Sequence, residues 1–373
     1  MNRKSDKYRI YPSKAQMTCM NRTLGFCCEL YNAALQERRD AYRLEHKSIR
    51  YAEQQNQLPE IKAIREDLAL VHSQVLQDVL RRLDKAFQNF FRRVKERGEK
   101  AGFPRFRSRF RYDSFTYAQS GFSLNGKLRL SKIGDVRIKL HRPLEGKIKT
   151  LTITRSATGK WFACFSVEVE PEPVMPNCEA VGIDVGLTHF MTLSTGKKID
   201  NPRFFREEER ALAKAQRKLS VEKKGTAERK ARRRIVARIH ERIKFRRNNF
   251  VHQESRKLVD GFGMIFLEDL NIRGMVKNHC LAKSIADAAW NQLFAFTSYK
   301  AENAGGVSRK VDARNTSKLT HCCGELVEMT LSDRTITCPK CHSTTDRDWN
   351  AALNILARGL ASLGLAAKEA PCL

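Results

Sequence analysis

Apolar residues recur along the first ninety positions with helical spacing. YRIY at residues 8–11 reads as a short strand, and Pro12-Ser13 as the opening of a helix. Met17, Met20, Leu24, Cys27, Cys28, Tyr31, Ala34 and Leu35 follow at three- and four-residue steps. A polar stretch near 44–60 separates this stripe from Leu68, Val71, Val75, Leu76, Val79, Leu83, Phe87, Phe90 and Phe91, which predict a longer helix stopped by Gly98 and Gly102. Both stripes read as the core of a helical bundle. From 113 to 170 the period falls to two. Asn125-Gly126 between short alternating runs is a hairpin signal, and GDVRIKLHR and KTLTITRSATGKWFACFSVEVE extend the series. This predicts a small β-barrel with the helical segment inserted after its first strand. PEPVMPN at 171–177 marks the expected domain boundary.

Beyond it, AVGIDVGLTHFMTLSTGKKID predicts a strand, a glycine turn and two more strands. Residues 203–260 predict two helices, with Leu212, Ala215 and Leu219 packed on one and Ile235, Ile239 and Ile243 on the other. GMIFLEDLN is a continuous apolar strand ending in acids. A loop and helix follow (IRGMVKNHCLAKSIADAAWNQL), in which 272–285 reads either as a lid or as an ordinary surface loop. A helix opened by acidic residues, DRDWNAALNILARG, closes the chain.

Composition adds a partner to this outline. The chain has 373 residues, 41% of them apolar, which is enough for two or three folded units. No run approaches the roughly 18 apolar residues of a membrane span, and no apolar segment follows the basic N-terminal residues, so neither a membrane partner nor a secretory signal is expected. A formal charge of +29 calls for a polyanion, and nucleic acid is the expected one. The charge lies in two belts. Residues 91–112 hold nine Lys/Arg against two Glu, with Phe103, Phe106, Phe110 and Tyr112 between them; residues 203–260 hold 20 against 8. Arg92, Arg93, Arg105, Arg107, Arg109 and Arg111 in the first belt, and Arg232, Arg233, Arg246 and Arg247 in the second, are the candidate nucleic-acid contacts. After Pro104 the alternation predicts an extended segment with guanidinium groups on one face and rings on the other. Those rings either stack on unpaired bases or pack into a core.

Three carboxylates occupy positions where charge is costly. Asp184 interrupts the apolar strand VGIDVG, Glu268 ends MIFLED, and Asp348 precedes the last helix, with Asp269 and Asp346 as neighbouring alternatives. Brought together at strand ends, three acids would hold Mg²⁺, two ions about 4 Å apart, which activate a water and stabilise the leaving oxygen of a phosphodiester. Asp346 reads equally as a cap of the final helix, with Asn350 bracing its first turn. Of the eleven cysteines, seven (Cys19, Cys27, Cys28, Cys164, Cys178, Cys280, Cys372) are scattered and read as small buried hydrophobes. Cys338 and Cys341 form a CxxC knuckle with HCCG shortly before it, a pattern suited to a structural Zn²⁺. Adjacent cysteines do not readily face one ion, so the expected ligands are Cys323, Cys338 and Cys341 with either His321 or Cys322. The competing reading is a degenerate ribbon around buried thiols.

The order VGIDVG, basic helices, FLEDLN, cysteine ribbon, DRDWNAALNIL resembles the transposon-encoded TnpB family, relatives of the type V CRISPR effectors. The GFPRFRS and LAKSIADAAWNQL segments extend the resemblance over essentially the whole chain. It implies an α/β multidomain protein. Residues 1–12 and 102–172 would form a wedge-like β-barrel carrying a helical recognition insert at 13–101. Residues 178–317 and 344–373 would form an RNase H-like RuvC nuclease domain, interrupted by a zinc-ribbon-like insert at 318–343. It further implies a cytoplasmic enzyme that cleaves double-stranded target DNA, guided by RNA from the transposon end, next to a short duplex motif. Asp184, Glu268 and Asp348 then take the catalytic positions, the motif favouring Asp348 over Asp346. The ribbon departs from the family's TSxxCxxCG, because TSKLTHCCG puts Thr320 at the first cysteine position. The alternatives are a DNA-binding repressor, guided or unguided, that does not cut, and a three-acid transposase that joins strands.

Overall fold

The computed structural model describes residues 2–96, 101–170, 178–330 and 333–365. The expected boundary at 171–177, the stop at Gly98 and Cys372 lie outside these residues. The chain divides into two compact units, Met1–Pro171 and Glu172–Leu373. No helix of the described residues is long and apolar enough to cross a membrane.

In the first unit β1 (Asn2–Tyr11) leads into α1 (Lys14–Glu45). Ser13 and Gln16 close a reciprocal capping box at the start of α1, and left-handed His46 ends it. The polar stretch contains two short helices that periodicity did not predict, α2 (Tyr51–Asn56) and α3 (Leu58–Ile64), anchored by buried Gln54 and Leu58. α4 (Ser73–Lys95) follows a 3₁₀ turn that carries Leu68. The strands β2 (Ser114–Tyr117), β3 (Phe122–Asn125), β4 (Lys127–Leu130), β5 (Gly134–Lys139), β6 (Lys147–Arg155) and β7 (Trp161–Val169) complete a seven-stranded sheet with β1. Its order is β2-β6-β7-β1-β5-β4-β3, with every pairing antiparallel. Gly126, at positive φ, makes the expected hairpin turn between β3 and β4. The hydrogen-bond ladder ends at β2 and β3 rather than closing. The edges meet instead through Tyr117, whose hydroxyl donates to the Ser131 carbonyl and whose ring lies against Phe122. Helices and sheet share one continuous buried cluster, running from Met20 and Leu83 to Phe115 and Phe165, so the helical stripes do not form a core of their own.

The second unit begins with β8 (Ala180–Asp184), β9 (His189–Leu193) and β10 (Lys198–Asp200), then α5 (Phe204–Val221) and α6 (Ala227–Gly261). β11 (Met264–Glu268), α7 (Ile272–Met275), α8 (Ala282–Ala288), α9 (Trp290–Asn303) and β12 (Val307–Val311) follow. β13 (Thr335–Thr337), β14 (Thr344–Asp346) and α10 (Arg347–Ala361) end the described chain. The five-stranded sheet runs β10-β9-β8-β11-β12. β9 is antiparallel to both β8 and β10, while β8, β11 and β12 are parallel. Both faces of the parallel strands are covered, which is why AVGID and MIFLE carry no polar alternation. α10 crosses the sheet where two glycines admit it. A Cβ on Gly182 would fall under 3.0 Å from the backbone of Ala352 and Leu356, and one on Gly359 would strike the Phe266 ring. Of the scattered cysteines, Cys27 and Cys28 are buried as expected. Cys280 is exposed and Cys178 is disulfide-bonded, contrary to the expectation.

Candidate functional site

Parallel pairing of β8 with β11 matches Ile183 to Leu267, so the next residues, Asp184 and Glu268, sit side by side at the strand ends. Adjacent strands lie about 4.8 Å apart, which fixes the scale of their separation. α10, seated on the Gly182 groove, brings Asp348 to the same end of the sheet. Asp184 registers this convergence: burial first, then the charges of Glu268 and Asp348, push its carboxyl well above the usual range. Burial also raises Glu268, against a hydrogen bond from the Thr316 hydroxyl and the charge of Arg358. Asp348 is held by the guanidinium of Arg347, through Nε at 3.2 Å and an Nη at 3.1 Å. Asp346 is indeed the cap of α10: it accepts from the backbone N–H groups of Asp348 and Trp349 and pairs with Lys198. Asp269 pairs with Lys310 at 2.9 Å. Asn350 does not brace the first turn as expected. It is buried and holds the loop before the cysteines.

Half-buried Asp184, crowded by the charges of half-buried Glu268 and Asp348, fits a divalent cation, which the donor set, all hard oxygens, suits. Among the described residues, the metal-ligating side chains that gather into one tight group are the cysteines.

The tight group consists of Cys322, Cys323, Cys338 and Cys341, with sulfurs all within 4.8 Å of one another. Four thiolates at about 2.3 Å from one Zn²⁺ stand about 3.8 Å apart, so the donors fit a tetrahedral ion. The sulfurs of Cys322 and Cys341 already approach to 3.4 Å. Hydrogen bonds from Ser343 lead in lowering the Cys341 thiol to about 6, whereas contact with Cys341 leads in pushing Cys323 up to about 12. Of the two alternatives for the fourth position, the structure brings Cys322 into the group, beside its neighbour Cys323, and leaves His321 out of it. Residues 321–323 form a turn ended by left-handed Gly324, so consecutive side chains converge.

The basic belts separate by burial. In the first, residues 101–108 form a strap without helix or strand, tied to α1. The Asn32 amide donates to the Arg107 carbonyl at 2.9 Å and accepts from its N–H at 2.8 Å. Gly25 leaves room for the Arg109 guanidinium. Arg105, Arg107, Arg109 and Arg111 are exposed. So are Phe103 (45%), Phe106 (46%) and Phe110 (87%), while Tyr112 is buried. Phe103 packs edge-on against Phe87 and Phe90, and Arg39 lies over the Phe106 ring; Arg39, Arg105 and the two rings line an open pocket of about 550 Å³. Arg92 is exposed and pairs with Glu96, whereas Arg93 is half-buried. In the second belt Arg233 is exposed, Arg232 pairs with Glu222, and Arg246 pairs with Glu207. Arg247 is committed elsewhere: it pairs at 2.6 Å with Asp287, a buried carboxylate that also accepts from the Phe205 N–H.

Three family models match the chain. OrfB_IS605, described as "Probable transposase", matches residues 164–279, and the Cas12f1-like TNB domain matches 290–355. The HTH_OrfB_IS605 helix-turn-helix domain matches 1–47, which here is one strand and one unbroken helix. A Streptomyces pristinaespiralis protein named "Putative RNA-guided DNA endonuclease" is 40% identical over 95% of this chain and 89% of its own length. "Putative RNA-guided DNA endonuclease InsQ" of Escherichia coli K12 is 31% identical over 96% of this chain and 92% of its own. The CRISPR-associated endodeoxyribonuclease Cas12f1 of Sulfoacidibacillus thermotolerans is 28% identical over 52% of this chain and 50% of its own. With such identity sustained from end to end, the chain belongs to the OrfB_IS605, TnpB-like family.

Proposed function

We infer that this protein is an RNA-guided DNA endonuclease of a mobile element, which hydrolyses target phosphodiesters at a site formed by Asp184, Glu268 and Asp348. The observation that carries this reading is the convergence of those three acids at one end of the sheet, in a chain related throughout to proteins named for that activity. Three antiparallel strands followed by two parallel ones, with α10 across them, support an RNase H-like core spanning 178–317 and 344–373. The cysteine loop at 318–343 is its zinc-bearing insert, with Cys322, Cys323, Cys338 and Cys341 as ligands. The sheet of the first unit, with the helices between β1 and β2, corresponds to a wedge and its recognition insert.

Bound at the three acids, Mg²⁺ supplies an activated water and charge compensation for the leaving oxygen. The chain's own contribution is placement. β8 and β11 present two carboxylates in register, α10 presents the third, and Arg347 holds Asp348 in place. The exposed arginines of the strap and of α6 neutralise phosphates of a guide RNA transcribed from the transposon end and of its DNA target. They hold the heteroduplex by its backbone, without reading bases. The exposed Phe106 and Phe110 favour stacking over core packing for those two rings.

The test is plasmid cleavage in Mg²⁺ by full-length protein purified with and without co-expressed transposon-end RNA. Guide-dependent cleavage is expected, together with an Asp184→Ala variant that binds the guided target and leaves it intact. Cleavage indifferent to the RNA refutes the guided reading. Undiminished cleavage by Asp184→Ala refutes the assigned site.

A further inference from the structure

Thr316 lies in the loop between β12 and the cysteine knuckle, 48 residues from Glu268 in the chain, and is 2% exposed. Its hydroxyl has one proton and two acceptors within reach, the Glu268 carboxylate and, at 3.2 Å, the Ala313 carbonyl. The carboxylate is the nearer and the charged acceptor, so it takes the proton. The loop is itself fixed from α10. Asn354 donates to the carbonyls of Thr316 at 2.8 Å and Leu319 at 2.6 Å. One turn earlier, Asn350 donates to the Leu319 carbonyl at 2.7 Å and accepts from the His321 N–H at 2.9 Å. Residues four apart share a helix face, so a single face of α10, two residues past Asp348, secures the loop that reaches Glu268.

We propose that Thr316 is a positioning residue, which selects the Glu268 conformer that presents a carboxylate oxygen to the cation shared with Asp184 and Asp348. Glu268 ends β11, a strand paired on both sides, and has three rotatable side-chain bonds. One fixed donor, anchored to the same helix that carries Asp348, sets two of the three acids by a common reference. The proposal rests on the reading of the three acids as cation ligands. Outer partners of this kind typically change metal affinity or activity by about 10- to 100-fold when removed.

The experiment uses full-length zinc-loaded protein and Mn²⁺ as the probe, followed by electron paramagnetic resonance titration, with thermal melting as the control. Thr316→Val is expected to bind Mn²⁺ about 10- to 100-fold more weakly. Thr316→Ser, which restores the hydroxyl, is expected to recover most of that loss. In a Glu268→Gln background the Val substitution should add nothing further. Wild-type Mn²⁺ affinity in Thr316→Val, or losses that simply add in the double variant, overturns the proposal. Equal weakening by Ser and Val does the same, since it marks a merely structural role. If Thr316→Val lacks a cooperative melt, Thr316→Ala carries the same comparison. Asp184→Ala separates the two levels: unchanged Mn²⁺ binding there refutes the acid site itself, whereas lost binding with an indifferent Thr316→Val refutes only the role of Thr316.

Discussion

Gly182 is where sheet and helix touch backbone to backbone, so Gly182→Ala tests how the third acid is held. The added methyl would lie under 3.0 Å from the Ala352 carbonyl oxygen and from Leu356 N and Cα. None of these is the end of a flexible side chain, so α10 must move off β8 by about 1 Å to restore contact distances. It cannot pivot freely, because Gly359 seats its other end against Phe266. Asp184 stays with its strand, while Asp348, about one helical turn from Ala352, moves with the helix. Overpacking of this kind costs about 1–3 kcal/mol. For a unit of this size that lowers the melting temperature by about 2–12 °C, at 2–4 °C per kcal/mol. A displacement of about 1 Å at the chemistry costs about 100-fold in rate. Thermal melting and guided plasmid cleavage of Gly182→Ala measure the two effects. Gly261→Ala is the control, since among the described residues nothing outside its own helix and chain neighbours lies within 4 Å of a Cβ there. Wild-type melting and cleavage in Gly182→Ala would refute the placement of α10 and, with it, the assembly of the acid site.

Metal analysis should find one zinc per chain, lost with a lower melting temperature in Cys338→Ser or Cys341→Ser and retained in His321→Ala. Arg247→Ala should destabilise the second unit by about 3 kcal/mol in denaturant titration, because it strands buried Asp287. Arg233→Ala should leave stability unchanged and flatten the slope of log affinity against log salt by about 0.7–0.9. Phe110→Ala should weaken binding of single-stranded RNA by about 1–3 kcal/mol in a fluorescence titration, with no change in melting, as expected for a ring stacked on a base. A salt-slope change in Arg247→Ala without destabilisation, or full RNA affinity in Phe110→Ala, would contradict these assignments.

The acids were legible because burying a charge is costly, so a carboxylate inside VGID or at the end of MIFLE stands out against its strand. The approach of Asp184 to Glu268 follows from the parallel pairing of strands 84 residues apart, which the two apolar runs suggest but do not fix. What escaped the sequence is of another kind. Thr316, Asn350 and Asn354 satisfy carbonyls and a carboxylate across distant segments, and although they stand inside TSKLTHCCG and DRDWNAALNIL, nothing in those runs says which partners they take. Asn350 reads locally as a helix-start residue, yet its burial and its two hydrogen bonds lie with the loop before the cysteines. The approach of Cys322 and Cys323 to one site is not legible in the sequence, because alternation of side chains is a property of extended chain and this pair lies in a turn. The basic belts show the same limit in reverse. Arg233 and Arg247 are indistinguishable as letters in a cationic helix, but the carboxylate that claims Arg247 sits 40 residues away on α8. Charge density therefore identifies the class of partner. Which arginines meet it depends on buried acids that only the packing brings into range, so each candidate contact must be weighed against its own ion pair before it is assigned to a phosphate.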